Sequence, residues 1–435
     1  MANRKEPGTD LEPAAGNGLL HRRVFLGAGA MAGVLGAAGM AHAEPLTVPE
    51  WVTKPGKRPL PYTQPSPFEG KVQRTIPDQN PLYEPGSAAG RTPHQFLEGM
   101  VTPNGLHFEV THNGVPDIDP DKHLLVIHGL VKRPLKFTVN SLLRYPLTSR
   151  FHFVECAGNS GALYGANPVK GTVQQLHGLL SGAEWTGVML STLLEEAGID
   201  PKATWLIAEG ADSLALSRSV PMTKALDDTM VALYQNGERL NPGNGYPMRL
   251  VVPGWEGNLQ VKWLRRIQLT DQPAMSYYES RTYAPILPNG KAYQFFFLQE
   301  VKSFITHPSP GLRLGAPGLY EVSGLAYSAS GRIAKVMVSA DGGKTWAQAA
   351  LQEPVLPQAF TRFRVPWKWD GGSAVLQSRA WDEAGQVQPT RAQVVAQRGE
   401  TKAAVTNPAA FPSQHYNGPT SWAIERNGEV KHVYA

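Results

Sequence analysis

The chain has 435 residues, of which 42% are hydrophobic and 18% charged, so most of it should fold and it is too long for one ordinary domain. Its 41 basic and 36 acidic residues give a net charge of +5 without long basic runs, which favours an anionic substrate or an acidic partner and excludes the clustered charge of nucleic-acid binding. Cys156 is the single cysteine, which excludes a disulfide framework within the chain, a zinc ribbon, a cysteine-ligated iron–sulfur cluster and a Cys-x-x-Cys-His haem site. This thiol is therefore a buried bystander, a nucleophile, or a lone ligand to a metal held mostly by something else.

The first 43 residues have the pattern of an export signal. Arg22-Arg23 is a twin-arginine pair, a weakly apolar and glycine-rich run extends to Met40, and Ala41-His42-Ala43 has the small residues of a cleavage site. The run is too short and too rich in glycine for a membrane anchor. The sequence therefore predicts export of the folded protein to the periplasm by the twin-arginine route, with removal of residues 1–43 and no membrane anchor.

Residues 44–93 are rich in proline and have little periodicity, which predicts an extended arm rather than a domain. From residue 94 to residue 300, strands and short helices mix without a regular βαβ rhythm, which predicts an α+β catalytic domain and argues against a doubly wound sheet. The elements predicted here are one helix, Val188–Ala197, and the strands His123–Val131, Phe151–Glu155, Trp205–Ala208, Met230–Gln235, Arg249–Val252 and Val261–Leu269.

Helical periodicity disappears after about Phe304, and short strands follow at the spacing of an all-β sandwich, with Asp341-Gly342-Gly343 as a hairpin turn. The predicted strands are Gly318–Ser328, Ala334–Ser339, Trp346–Gln352, Thr361–Pro366 and Ala374–Asp382. We assign residues 301–400 to this sandwich. Residues 401–435, rich in asparagine, proline, glycine and aromatic residues, are predicted to be a C-terminal docking tail.

The predicted strand Phe151–Glu155 runs directly into the loop C-A-G-N-S-G, which begins at Cys156. A thiol at a strand end, followed by glycine-containing loop backbone, lies at a rim where ligands commonly bind. On this pattern alone, however, a single cysteine is more often a small buried hydrophobic residue than a functional group. His152 is out of register with the cysteine, which favours a packed strand histidine over a catalytic base.

A second segment brackets a buried strand with glycine and proline. It reads N-G-Y-P-M-R-L-V-V-P-G-W-E-G from Asn244 and continues as Q-V-K-W-L from Gln260. Arg249 lies at one end of the strand and Lys262 beyond the other. Cations in these places suit a bulky anionic cofactor that carries a phosphate. Ordinary charges at the edge of a strand explain them equally well.

Together these segments resemble the sulfite oxidase family of molybdenum enzymes, from roughly His94 to Gln397. The resemblance rests on three motifs in order: the C-A-G-N loop, the G-Y-P-x-R block with its V-K-W-L continuation, and the V-S-x-D-G-G-x-x-W hairpin from Val338 to Trp346. It implies an α+β molybdopterin-binding domain, an immunoglobulin-like dimerisation domain, and molybdenum–molybdopterin as cofactor.

In that family one cysteine thiolate binds molybdenum and a pterin dithiolene supplies two further sulfurs, so the resemblance makes Cys156 the metal ligand. It also implies a catalytic tyrosine at Tyr283 and, at the pocket edge, a Lys-Gly pair that begins with Lys170. The other positions that match cofactor-binding positions of the family are Thr111, His112, Asn113, Asp212, Asn244, Arg249, Gln260, Val261 and Lys262. At Asp212 the number of residues between the motifs differs from the family.

The departures from the family pattern concern the substrate. Sulfite-oxidising members follow C-A-G-N with two arginines, where this chain has Ser160 and Gly161; another family arginine falls at Thr111, and a cofactor-contacting histidine is here Asn244. Losing guanidinium groups removes bidentate contacts to a small oxyanion and opens space. The resemblance therefore implies oxidation of sulfane sulfur bound to a cysteine of a carrier protein, and it disfavours free sulfite and nitrate.

The chain has no haem motif, so the resemblance implies a separate c-type cytochrome subunit as electron acceptor, with the arm and the tail as docking candidates. It also implies a homodimer of this chain that pairs with two cytochrome subunits. Two other functions stay open: a sulfite dehydrogenase with a rearranged pocket, and a cofactor-free binding protein of the cell envelope. The last predicts no molybdenum in the purified protein and full folding of Cys156→Ser.

Overall fold

A computed structural model describes residues 13–21, 48–78, 85–399 and 415–435. The twin-arginine pair, the predicted cleavage site and residues 401–414 of the predicted tail lie outside these ranges. In the part of the chain that is described, no helix is long and apolar enough to cross a membrane.

Strands dominate the described residues and the helices are short. In chain order the strands are β1 Pro13–Ala15, β2 Leu19–Leu20, β3 Ala88–Gly90, β4 Glu109–Thr111, β5 Leu124–Gly129, β6 Leu135–Thr138, β7 Thr148–Glu155, β8 Leu180–Met189, β9 Trp205–Gly210, β10 Ser217–Pro221, β11 Met230–Gln235, β12 Glu238–Arg239, β13 Arg249–Val251, β14 Leu264–Thr270, β15 Lys302–His307, β16 Gly318–Tyr327, β17 Ile333–Ser339, β18 Ala347–Gln348, β19 Ala350–Leu351, β20 Thr361–Trp369, β21 Ala374–Asp382, β22 Ser421–Ile424 and β23 Val430–Val433. The α-helices are α1 Glu50–Thr53, α2 Val139–Leu142, α3 Val173–His177, α4 Leu190–Ala197, α5 Met222–Asp227 and α6 Arg391–Arg398.

Two five-stranded sheets form the first domain. One has the order β10-β9-β14-β5-β6, in which β14 and β5 run parallel and the other neighbours are antiparallel. The other has the order β12-β11-β8-β7, with β13 also paired to β11. Helix α4 follows β8 directly and buries side chains at helical spacing, namely Leu190, Leu193, Leu194 and Ala197. This mixture of sheets and short helices confirms the α+β prediction.

The second domain is a sandwich of two sheets. A six-stranded sheet has the order β1-β2-β20-β16-β15 with β19 also on β20, and a five-stranded sheet has the order β18-β17-β21-β22-β23. Trp367 and Trp422 lie fully buried in the apolar core of this domain. The same core continues into the first domain through Phe153 and Leu180. The two domains therefore share buried surface rather than being joined by a loose linker.

The end of the chain corrects the predicted organisation. Strand β22 pairs with β21 and β23 pairs with β22, and the indole Nε1 of Trp422 donates to the carbonyl oxygen of Ile305 at 2.9 Å. Tyr416 is also fully buried. Residues 415–435 are thus part of the sandwich and not a separate docking tail, because their aromatic side chains fill the core of the second domain.

The amino-terminal segment also differs from the expectation. The sequence places residues 13–21 inside a removable leader, yet β1 and β2 extend a sheet of the second domain and Leu19 and Leu20 are buried. Smaller differences concern element ends. The predicted helix Val188–Ala197 begins two residues later, because Val188 still pairs with β11, and the predicted strand Trp346–Gln352 is divided into β18 and β19.

Residues 48–78 form an extended segment with one short helix, α1. It contacts the first domain at a few points: the hydroxyl of Tyr62 donates to Glu238 at 2.5 Å, and Arg74 donates to the carbonyl oxygen of His107 at 3.1 Å. Its large apolar side chains stay exposed, with Trp51 81% and Phe68 94% accessible. This segment therefore presents aromatic surface to solvent.

Buried neutral histidines should make the stability depend on pH. His94 is buried between the domains, its Nε2 donates to the Leu180 carbonyl oxygen at 2.9 Å, and burial lowers its pKa to about 3. Below pH 6.5 the unfolded chain binds a proton at this histidine that the folded chain does not. As the pH is lowered, the free energy of unfolding therefore decreases by up to about 1.4 kcal/mol per pH unit. We expect His94→Gln to flatten this slope between pH 6.5 and 3 in urea unfolding; an unchanged slope would contradict it.

Candidate active site

The cysteine loop is held in shape by its own residues. The backbone N–H of Cys156 donates to the carbonyl oxygen of Leu179 at 2.9 Å. The side chain of Asn159 donates to Glu155 at 2.8 Å and accepts from the Leu179 N–H at 3.0 Å. The asparagine of C-A-G-N thus joins the end of β7 to the start of β8, which fixes the partly exposed thiol at the rim of the sheet.

The second motif packs directly against this loop. A Cβ atom added to Gly257 would lie 2.5 Å from the Glu155 carbonyl oxygen and 3.0 Å from Cα of Cys156, so only glycine allows this approach. The carboxamide of Gln260 bonds to both backbone groups of Val252, at 2.7 and 2.6 Å. The chain between β13 and β14 is therefore held rigidly beside the thiol.

A buried ionic cluster supports the cysteine loop from the second domain. Nζ of Lys302 lies 2.7 Å from Glu155 and donates to the Ser160 hydroxyl at 3.0 Å, and the His415 ring lies 3.1 Å from the other Glu155 oxygen. Burial by itself would raise the pKa of Glu155, but Lys302 and His415 hold it below its ordinary range. We call these four residues the loop-supporting cluster.

A cavity of about 70 Å³ opens beside the thiol. Ten of the twelve predicted site residues line it: Thr111, His112, Cys156, Asp212, Asn244, Arg249, Gln260, Val261, Lys262 and Tyr283. They come from β4 and β13 with the loops beside them, the loops after β7 and β9, and the segment after β14, so residues about 170 positions apart meet at one place. Within the described residues, no group of three or more histidine, cysteine, aspartate or glutamate side chains is placed to hold a metal ion.

Two cations, the buried Arg249 and the partly buried Lys262, give the cavity positive charge. Arg249 donates to the carbonyl oxygens of Asn244 and Gln260, and Lys262 donates to those of Val110 and Gly243. Burial lowers the pKa of Arg249 to about 9, and burial together with Arg249 lowers the pKa of Lys262 to about 7. An anion in the cavity would stabilise both charged forms.

Unpartnered polar atoms at the same cavity test whether a pterin cofactor with a phosphate would fit. Among the described residues, Nε of Arg249 and Nε2 of His107 are buried without a hydrogen-bond partner. Buried polar atoms of this kind are energetically costly unless a ligand satisfies them. The two cations, the unpartnered nitrogens and the soft thiol fit an anionic cofactor that binds its metal through sulfur.

In the lining of the same cavity, Tyr283 is hydrogen-bonded to His112, with 3.1 Å between the hydroxyl and Nε2. Burial raises the pKa of Tyr283 well above its ordinary value, so the phenol keeps its proton. Burial and Lys262 lower the pKa of His112 to about 4, so the imidazole is neutral. The pair can therefore pass or orient a proton without forming an ion.

Two residues in or beside the cavity could not be predicted as site residues from the sequence. His107 lines the cavity from the turn before β4, outside the motifs. Arg218, on β10, lies with its guanidinium carbon 5.0 Å from the ring centre of Tyr283, and its side chain is 1% exposed. In the described part of the chain, its Nε and one terminal nitrogen have no hydrogen-bond partner. Arg218 thus places positive charge behind the tyrosine, outside the cavity lining.

Three positions that depart from the family pattern, Ser160, Gly161 and Asn244, are buried among other residues of the chain. Ser160 adopts φ +63°, is buried, and bonds to Nδ1 of His177 at 2.8 Å, and Gly161 is buried beside it. Neither faces the cavity. The side chain of Asn244 turns to the Phe108 carbonyl oxygen at 3.3 Å.

Two of the predicted site residues are not part of the cavity. Lys170 is exposed in the loop before α3 and does not line the cavity, so its role at the pocket edge stays a prediction. Asn113 does not line the cavity and bonds to Ser213, beside Asp212 at its rim.

Comparisons with known proteins agree with this site. The family model described as the oxidoreductase molybdopterin binding domain matches residues 112–278, and the Mo-co oxidoreductase dimerisation domain matches residues 295–404. The crystal structure of the sulfane dehydrogenase SoxCD from Paracoccus pantotrophus is 41% identical, with a TM-score of 0.84, and the match covers 89% of this chain and 97% of that chain.

Curated relatives include two plant enzymes. The nitrate reductase (NAD(P)H) of Hordeum vulgare is 32% identical over 343 residues, which are 69% of this chain and 38% of that protein. Nitrate reductase (NADH) 1 of Arabidopsis thaliana is 31% identical over 353 residues, 71% of this chain and 38% of that protein. The chain therefore spans a little over a third of the length of these curated relatives.

The fold and the cavity define a molybdopterin-binding oxidoreductase with a second, immunoglobulin-like domain of the dimerisation type. The chain belongs to the sulfite oxidase family of molybdenum enzymes, and the predicted family and the predicted order of its two domains are confirmed.

Proposed function

We propose that this protein is the molybdenum subunit of a periplasmic sulfane dehydrogenase, which oxidises sulfane sulfur on a cysteine of a carrier protein and passes the electrons to a c-type cytochrome. The likeness to the sulfane dehydrogenase SoxCD supports this function. One observation carries the choice of substrate: Ser160 and Gly161, at the positions of the family's two arginines, are buried away from the cavity. The two guanidinium groups that would bind free sulfite at these positions are therefore absent.

The cofactor would be held by the cavity residues. Cys156 would be the thiolate ligand of molybdenum, Arg249 and Lys262 would bind the anionic end of the pterin, and His107 would accept a hydrogen bond from it through its buried Nε2. When bound, the cofactor supplies two-electron oxidation and transfer of a water-derived oxygen atom to sulfur. Asp212, beside Lys262 at the same cavity, would accept hydrogen bonds from the pterin.

The protein residues would position the substrate and move protons. Tyr283 and His112 would hold and pass the proton that moves when oxygen is transferred to the substrate sulfur. Both side chains are neutral and they are hydrogen-bonded to each other at 3.1 Å. Arg218 would keep the tyrosine ring in place through its stacked guanidinium. The neutral Thr111 would leave room for a sulfur atom that arrives on a protein arm.

A phenylalanine at position 283 tests the role of the hydroxyl group. Tyr283→Phe keeps the ring beneath Arg218 but removes the hydrogen bond to His112. We expect kcat to fall by about 10²–10⁴, the usual size of a general acid–base contribution, with little change in molybdenum content. Steady-state kinetics with metal analysis measures both; a kcat within twofold of the wild type would exclude this role.

The missing haem motif and the exposed aromatic side chains of residues 48–78 indicate a cytochrome partner. A covalent haem motif needs two cysteines and the sequence has one, so electrons would pass to a separate cytochrome subunit. We propose residues 48–78 as its contact segment, because Trp51 and Phe68 are exposed there. The second domain would form a homodimer, which with two cytochrome subunits makes a heterotetramer. Export would follow the twin-arginine route, and no membrane anchor would remain.

Rates with two substrates decide between this function and a sulfite dehydrogenase. The purified enzyme is supplied with a cytochrome c acceptor and with either a carrier protein bearing a cysteine persulfide or free sulfite. We expect kcat/KM for the carrier-bound sulfur to exceed that for sulfite by at least about 100-fold, the effect of losing charged contacts to a small oxyanion. Faster turnover of free sulfite would establish the alternative.

A further inference from the structure

A short hairpin from the predicted leader is built into the second domain. Strands β1 and β2 are joined by Gly16-Asn17-Gly18, and β2 lies on the edge of β20 where Leu19 pairs with Trp367. The indole Nε1 of Trp367 donates to the Asn17 carbonyl oxygen at 2.6 Å, and the N–H of Lys368 donates to the Gly18 carbonyl oxygen at 2.8 Å. These are the contacts of a strand added to a sheet.

The loop after β17 contacts the other side of the same hairpin. The side chain of Asn17 donates to the Ala340 carbonyl oxygen at 2.8 Å, and the N–H of Gly16 donates to the hydroxyl of Thr345 at 2.7 Å. Both partners lie in the loop of the V-S-x-D-G-G-x-x-W motif. The hairpin is therefore recognised by two separate elements of the folded sandwich.

The hairpin sequence is specific for this position. A Cβ atom at Gly18, which has φ +82°, would lie 2.0 Å from the Lys368 carbonyl oxygen, and one at Gly16 would lie 2.4 Å from a carboxylate oxygen of Asp341. Leu19 and Leu20 are 0% and 1% exposed, and Leu19 belongs to the same buried cluster as Trp367. The pattern G-N-G-L-L thus satisfies steric, polar and apolar requirements at once.

This arrangement conflicts with a leader that only serves as an address, since such a leader has no need to fill a core position. We propose that residues 13–21 are a docking strand, which binds the folded second domain in the precursor and leaves an open peptide-binding groove on β20 once the leader is cut after Ala43. Arg22-Arg23 directly follow the docking strand, so docking tethers the twin-arginine pair to a second domain that has folded. The proposed binding of residues 13–21 to the second domain does not depend on the substrate of the enzyme. The proposed tethering of the twin-arginine pair rests on the proposed export route.

Hydrogen exchange in the precursor tests docking. The full chain is purified from cells without a twin-arginine translocase and compared with Leu19→Asp and with the control Leu60→Asp, at a position 62% exposed. We expect the peptide covering residues 13–21 to exchange at least about tenfold more slowly in the wild type and the control than in Leu19→Asp. Exchange at the rate of an unstructured peptide in the wild type would overturn the proposal.

Binding in trans tests the groove. Exported holoenzyme is titrated with a labelled peptide of residues 11–21 and followed by fluorescence anisotropy. We expect saturable binding, weakened more than about 30-fold by Leu19→Asp in the peptide and about 2- to 12-fold by Thr345→Val in the enzyme. If the mass of the exported holoenzyme shows that residues 1–43 are removed and the peptide does not bind, the proposed groove on β20 is wrong. If the mass shows that these residues are retained, the proposal that cleavage opens the groove is wrong. Neither result depends on the sulfur substrate.

Discussion

Cys156→Ser is expected to fold and to lose turnover of carrier-bound sulfur by more than about 100-fold. The thiol sits in a cavity with two cations and unpartnered nitrogens, and it is the one soft ligand that the chain offers there. Loss of groups that merely orient a metal ligand costs about 10- to 100-fold, so loss of the ligand itself should cost more. The rate of cytochrome c reduction measures the effect.

Lys136→Met is the control for this variant, because Lys136 is exposed on β6 and does not line the cavity. It should turn over at the wild-type rate. Cys156→Ser should still unfold in one cooperative transition, at a temperature lowered only by the loss of the cofactor that the wild type binds. Activity of Cys156→Ser within threefold of the wild type would refute its assignment as the metal ligand.

Lys302→Met should lower the free energy of unfolding by about 3–5 kcal/mol. Lys302 and Glu155 are both buried and 2.7 Å apart, and removing one partner of such a pair leaves the other charge uncompensated. Because Glu155 directly precedes the cysteine and accepts from Asn159, the loop should also lose its fixed position and activity should fall. Urea unfolding and turnover measure the two effects.

Lys431→Met is the comparison, with the same substitution in an exposed ion pair. Lys431 bonds to Glu425 at 2.8 Å with about half of its side chain accessible, so its loss should lower the free energy of unfolding far less than the loss of Lys302. Adding Glu155→Gln to Lys302→Met should recover part of the stability, because it removes the stranded charge. Equal losses for Lys302→Met and Lys431→Met would show that the loop-supporting cluster does not stabilise the fold.

The motifs predict the site well because each carries its own local geometry. In C-A-G-N, the asparagine closes the loop around Cys156, and Gly257 in the second motif allows backbone to approach that cysteine. These are short-range requirements that a sequence pattern records directly. The positions of Arg249 and Lys262 at one cavity follow from the same segment, since both flank one strand and its loop.

Other parts of the site depend on contacts between distant segments, and the sequence gives no sign of them. Arg218 reaches Tyr283 only because β10 packs beside the turn before the tyrosine, and His415 reaches Glu155 across 260 residues. The C-terminal strands are too short to show a period of two. The Lys-Gly pair at Lys170 lies in an exposed loop, where a pair of residues fixes no side-chain direction.

Molybdenum and pterin analysis of the purified protein tests the central claim most directly. The protein is made in cells supplied with molybdate, and the metal and the released pterin are quantified per chain for the wild type and Cys156→Ser. The cavity, with its thiol, two cations and unpartnered nitrogens, predicts about one molybdenum and one pterin per wild-type chain and a loss of molybdenum in the variant. Wild-type protein without either, or a variant that keeps its molybdenum and its activity, would contradict the claim.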